Sequence, residues 1–96
     1  MLFRSQEARS LGIVNRVAPP GQLQPALDTL LKEITAQSGA ILRLTKSALR
    51  RTSTLDFDKA LSDTEDFFFQ DVMPTADAKE GIFAFLEKRA PQWIHA

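Results

Sequence analysis

No cysteine occurs anywhere in the chain. That absence excludes a disulfide framework and a thiolate metal site, and it fits a reducing compartment. Charge of one sign is also missing. Lys and Arg total 12 and Asp and Glu total 12, so the formal net charge is zero. A general nucleic-acid binder carries a basic excess, and this chain has none. The same balance removes the electrostatic repulsion that keeps many proteins apart. No apolar run approaches the roughly 20 residues of a membrane span, and "MLFRSQEARS" lacks the apolar centre of a signal peptide. The reading is a soluble, cytoplasmic protein with neither membrane nor nucleic acid as partner. The four glycines stand apart at 12, 21, 39 and 81, so no glycine-rich phosphate loop exists. The one histidine, His95, has no companions for catalysis or metal binding in the sequence around it. Repeats and low-complexity tracts are absent too.

What is present is helical periodicity. Ninety-six residues allow one domain, spanning 1–96, with a modest core. Ser5 is placed to cap a short helix to about Leu11, stopped by Gly12. Ile13–Ala18, "IVNRVA", is too short for a helix and reads as an extended piece or a single strand. Pro19-Pro20-Gly21 then forces a turn. Leu23, Ala26, Leu27, Leu30, Leu31 and Ile34 mark one face of a helix over residues 22–37. Ser38 caps a helix over residues 40–51, with Ile41, Leu44, Thr45 and Ala48 inward and Leu42 and Leu49 on a second line. A further helix runs from about Asp56 to Asp71, with Phe57, Ala60, Leu61, Thr64 and Phe68 on one face, and ends at Met73-Pro74. Thr75 caps the last helix, over residues 77–89, with Asp77 and Glu80 in its first turns. Pro91 closes it. The expected fold is all-α: a small bundle of four to five helices with one short extended segment.

Three features leave this bundle with surface it cannot hide. Phe67–Phe69 sweep about 200° of helix circumference. Phe83 lies off the stripe formed by Ile82, Phe85 and Leu86. "IVNRVA" has no strand to pair with. Exposed apolar surface of this kind marks an interface. Catalytic and metal motifs are lacking: the carboxylates sit at helix ends or on polar faces, where nothing apolar would raise a pKa. Two basic groups, "TKSALRR" and "EKR", read either as phosphate contacts or as charge complementing a helix C-terminus. Gly81 costs about 1 kcal/mol relative to alanine inside a helix, so something must approach the backbone closely there, another helix or a ligand.

The order of motifs resembles the C-terminal part of the crotonase superfamily, the enoyl-CoA hydratases and isomerases. Glu7-Ala8 with Leu11–Val17, then Lys46, then Asp77, Glu80-Gly81 and Ala84–Arg89 match the family's blocks in order and at family spacing, over nearly the whole chain. The sequence departs from the family at Gly39, where proline is common, and at Ala90, where a second basic residue is common. The resemblance implies the family's C-terminal trimerisation and lid domain. Its partners would be the enzyme's own crotonase core and neighbouring subunits, in a trimer or dimer of trimers, with an acyl-CoA thioester as substrate and no separate cofactor. It implies that Lys88 and Phe69 help to hold CoA, Lys88 at a phosphate and Phe69 near the adenine or pantetheine. The family's oxyanion-hole segments and catalytic carboxylates have no counterpart, so the chain alone is expected to be inactive, with no catalytic residue of its own. "MLFRS" enters almost directly into the first block, as a cut chain would. A stand-alone helical interaction module without CoA chemistry is the alternative, and an unassisted acyl-CoA binding module a third.

Overall fold

The structure, a computed structural model, describes residues 4–96. The described residues form five α-helices and no strand: α1 (Ser5–Ser10), α2 (Leu23–Thr35), α3 (Gly39–Thr52), α4 (Phe57–Phe67) and α5 (Ala76–Leu86), with a π-helical turn over Phe68–Val72 following α4. The opening Met1–Phe3 of "MLFRS" lies outside the described residues. The chain divides into two compact units, one ending at Ile34 and one spanning Thr35–Ala96.

In the first unit α1 begins one residue earlier than a Ser5 cap would require. The N-cap is Arg4, whose extended backbone precedes the helix and whose side chain makes no capping bond. Gly12 ends the helix as expected. Its φ of 74° belongs to the left-handed region that glycine enters without penalty. The Gly12 amide then donates to Arg9 O (3.0 Å) and the Ile13 amide to Ala8 O (2.9 Å), closing a Schellman motif. The segment after it is irregular rather than a strand, since the described residues hold no second strand to share its hydrogen bonds. The Pro19–Gly21 turn closes with the Gln22 amide on Pro19 O at 3.0 Å. Arg16 and Glu33 then tie the irregular segment to α2 by an exposed ion pair. The hydrogen bond from Arg16 holds the Glu33 carboxyl below its usual range, against a weaker opposing effect of desolvation. Of the apolar face of α2, Ala26 and Leu30 are half-buried and Leu23, Leu27, Leu31 and Ile34 stay exposed.

The second unit is built on caps. Ser38 Oγ accepts from the Ile41 amide (3.2 Å), Asp56 from Lys59 (3.0 Å) and Thr75 from Ala78 (3.1 Å), each satisfying an orphan donor of α3, α4 or α5. On α3, Ile41, Leu44 and Ala48 are half-buried as expected, whereas Thr45 is exposed and back-bonds to Ile41 O. The inward face of α4 differs from the one expected. Phe57 is 78% exposed and Phe67 is 7% exposed. Both residues lie in regular α-helix ahead of the π-helical turn, which the Met73 amide closes on Phe68 O at 2.9 Å; the half-buried Ala60 and Asp63 share ordinary helical spacing with Phe67, so the aromatic run meets α3 through its first ring. Arg51 of α3 lies over that ring, 4.9 Å from its centroid, and reaches Asp63 at 3.0 Å. The "TKSALRR" arginine nearest the helix end is thereby committed to packing. Phe68 and Phe69 splay outward with an edge-on contact at 5.4 Å.

Candidate functional site

The most enclosed side chain of the described residues is a carboxylate. Asp77, 1% exposed, lies in the first turn of α5. Its Oδ2 accepts from the Ser38 hydroxyl and from the His95 amide (2.9 Å), and its Oδ1 accepts from the Ile94 amide (2.9 Å). Its own amide donates to Ala96 O at 2.9 Å. Burial works to raise the Asp77 pKa, but the Ser38 hydroxyl, the two tail amides and the nearby His95 together outweigh it and hold the group ionised below its usual range. Buried charge of this kind persists only when fully hydrogen-bonded. Asp77 therefore joins the start of α3 to the C-terminal tail, residues 90–96.

The tail is fixed at further points. Trp93 Nε1 donates to Ala36 O at 2.9 Å. The Gly39 amide, the first of α3, donates to His95 Nδ1 at 3.0 Å. His95 is accordingly placed by structure and is not a frayed imidazole; among the described residues it belongs to no group of three potential metal ligands. Upstream, Glu80 accepts from both Arg89 guanidinium nitrogens (2.6 and 3.0 Å) and from the Gln92 amide (2.8 Å). Those bonds, the one from the Arg89 side chain foremost, lower the Glu80 pKa to about 2.

The indole of Trp93 closes one side of an apolar groove of about 420 Å³, walled by Phe68, Met73, Gly81, Ile82 and Phe85 among others. Gly81 explains itself here. A Cβ at this position would stand 3.3 Å from the six-membered ring of Trp93. The close approach inferred from the sequence comes from this chain's own tail.

The two residues linked to CoA by resemblance occupy other ground. Phe69 sits on the π-helical turn, 69% exposed, and Lys88 follows α5; neither walls the groove. Lys88 adopts φ 54°. Its amide donates to Phe85 O (3.3 Å) and the Arg89 amide to Ala84 O (3.0 Å), so a lysine fills the left-handed position of a Schellman motif where glycine is usual. Among the described residues its ammonium has no ion-pair partner, whereas the neighbouring Arg89 is bound to Glu80 and Glu87. Of the "EKR" cations only Lys88 is thus uncommitted. Sequence reasoning missed the Asp77 centre. An aspartate in a first helical turn is ordinary, and its partners lie 17, 18 and 39 residues away.

The enoyl-CoA hydratase/isomerase family model matches residues 1–96. A crotonyl-CoA hydratase of Syntrophomonas wolfei is 34% identical over 93 residues, covering 97% of this chain and 35% of the relative. A short-chain-enoyl-CoA hydratase of Clostridium acetobutylicum is 31% identical over 87 residues, covering 91% and 33% respectively. Among solved structures, an enoyl-CoA hydratase of Mycobacterium marinum superposes with a TM-score of 0.81 at 31% identity, over 98% of this chain and 37% of that one. The chain spans about a third of the length of the curated relatives it matches.

Proposed function

The chain belongs to the enoyl-CoA hydratase/isomerase family, and from that premise we propose that its 96 residues act as one C-terminal domain of an enzyme working on an acyl-CoA thioester in the cytoplasm. Its task is to join subunits and to cover the bound CoA. One observation carries this reading. Among the described residues only Ala40, Phe67 and Ala84 are buried apolar side chains, while Phe57, Phe69, Phe83, Phe85 and Leu86 are each more than half exposed. Five large apolar groups left in water are the mark of a surface that another surface covers. Its partners are the enzyme's own crotonase core and the neighbouring subunits of a trimer or a dimer of trimers.

Lys88 serves as the point charge for a CoA phosphate, and Phe69 as apolar contact for the adenine or pantetheine. The uncommitted ammonium and the outward ring support both roles. Proton transfer and enolate stabilisation belong to the rest of the enzyme, because thioester chemistry needs preorganised donors at the developing oxyanion. The chain alone is expected to lack hydratase activity.

The test is sedimentation of the full 96-residue chain over a range of concentrations, with calorimetric titration of CoA into it. The expected result is self-association, with CoA binding that weakens on Lys88→Ala. A well-folded, strictly monomeric chain would overturn the reading. Association with no response to CoA in either variant would favour a helical protein-interaction module built on the same exposed faces.

A further inference from the structure

Resting on the reading that this domain joins subunits, we infer that α3 of one copy docks on α4 of a second copy through opposite charge. The basic face is Arg43, Lys46 and Arg50; the acidic face is Asp58, Glu65 and Asp66. The net charge of the chain is zero, yet its signs are sorted by helix. α3 carries four cations and no acid, and α4 carries four acids and one lysine. Sorting of this kind does a single helix no good. Arg43 and Lys46 stand three residues apart, Lys46 and Arg50 four, so like charges repel along α3 where opposite ones would support it. The C-terminal end of α3 accounts for Arg50 but for neither Arg43 nor Lys46. Glu65 and Asp66 fall in the last turn of α4, toward the end where a helix favours cations.

The two faces cannot meet within one copy. α3 and α4 touch through Arg51, which lies over Phe67 and pairs with Asp63. Asp58 and Glu65 stand about half a turn around α4 from Phe67, and Lys46 about half a turn around α3 from the half-buried Leu44 and Ala48. Both faces therefore look away from the shared contact, and all six residues are exposed. Among the described residues none of the six has an ion-pair partner. Arg43 reaches His95 O at 3.5 Å, a neutral acceptor that leaves its charge unanswered. Leu49, 67% exposed, flanks the basic face and Leu61, 47% exposed, the acidic one, so each face offers apolar area beside its charges. Opposite signs on two outward sides of one unit fit a second unit head to tail. Such a contact is heterologous, and it closes into a ring when the rotation from copy to copy allows. Like faces of two copies repel, which fixes the pairing of α3 with α4.

The test is sedimentation of the full chain in low and high salt. Between about 0.1 M and about 1 M the screening length falls from about 10 Å to about 3 Å. Loss of three exposed pairs of ordinary strength should then weaken self-association roughly tenfold. In low salt, Lys46→Glu with Arg50→Glu should weaken it comparably, and so should Glu65→Lys with Asp66→Lys. The chain carrying all four substitutions has its faces exchanged in sign and should recover association, with helix content by circular dichroism unchanged throughout. Wild-type association indifferent to salt would overturn the inference, as would a four-substitution chain that stays apart; either result leaves the domain reading standing on its apolar faces. A wild type that stays monomeric in low salt would overturn both. Intact association in Lys46→Glu with Arg50→Glu, together with a lost response to CoA, would assign the basic face to phosphate instead. The wild-type salt response decides the matter even where a variant fails to fold.

Discussion

Gly81 gives the sharpest test of the packing. Its missing Cβ would lie 3.3 Å from one indole carbon of Trp93 and 3.6 Å from another, the first closer than the 3.5–4.0 Å optimum for carbon contacts. The ring has little room to retreat, because Nε1 is bound to Ala36 O and the two residues after it are bound to Asp77. Gly81→Ala gains about 1 kcal/mol of helix propensity and loses part of it to the crowded methyl, so it should stay close to the wild type. Gly81→Val adds two more methyl groups beside the same ring. Overpacking of that size costs about 1–3 kcal/mol, while valine recovers little of the propensity gain. At roughly 4–8 °C per kcal/mol for a domain of this length, Gly81→Val should melt at least about 4 °C below the wild type. The assay is thermal unfolding by circular dichroism at fixed protein concentration, because association shifts such midpoints. A double-mutant cycle with Trp93→Ala identifies the cause. Once the indole is gone, the valine penalty should largely vanish. A Gly81→Val chain as stable as the wild type would refute the reasoning, as would a penalty that survives in the Trp93→Ala background.

Two further outcomes follow from the ends of α5. Lys88 holds a left-handed position that disfavours side chains with a Cβ, so Lys88→Gly should raise the urea midpoint, by about 0.5–1 kcal/mol of stability, while weakening CoA binding; a lowered midpoint would contradict the Schellman geometry. In acid, the depressed Glu80 and Asp77 carboxyls contribute stability that is complete above their ordinary range and lost as pH falls through their folded values, about 2 for Glu80. Urea midpoints measured from pH 6 downward should hold steady to near pH 4.5, then fall. Glu80→Gln should flatten that decline, and an equally steep one in the variant would assign it to other groups.

Local chemistry was legible in the sequence because its partners are local. Ser38, Asp56 and Thr75 each cap a helix three residues from their donors, and the Pro19–Gly21 turn and Gly12 stop follow from backbone rules alone. Ser5 failed as a cap because the extended residue proved to be Arg4, a one-residue shift that propensity does not resolve. The face of α4 was misjudged for a different reason. The line through Phe57, Ala60, Leu61, Thr64 and Phe68 and the line through Ala60, Asp63 and Phe67 both keep helical spacing, and only packing against Arg51 of α3 selects the second. The overflow of Phe67–Phe69 was nonetheless visible, since no helix phase hides three adjacent rings. Asp77 and His95 were illegible because their roles arise from tertiary closure of the tail, which leaves no mark in spacing.

The division of labour in the second unit supports the case for a covering partner. Its order rests on directional polar contacts: three caps, the Ser38–Asp77–tail network and the Glu80–Arg89 pair. Such bonds replace bonds to water, so each adds only modestly to net stability, while fixing geometry closely. The term that ordinarily dominates folding, apolar burial, is small here, with Phe67 the one large apolar side chain enclosed among the described residues. A polar framework that sets α3, α4 and α5 in place while leaving Ile82, Phe85 and Leu86 in water is preorganised for contact. Association then meets rings and aliphatic groups already in position, and loses less entropy in ordering them. On the proposed function, the apolar stabilisation this unit lacks would come from the covering surface and act on folding and assembly together.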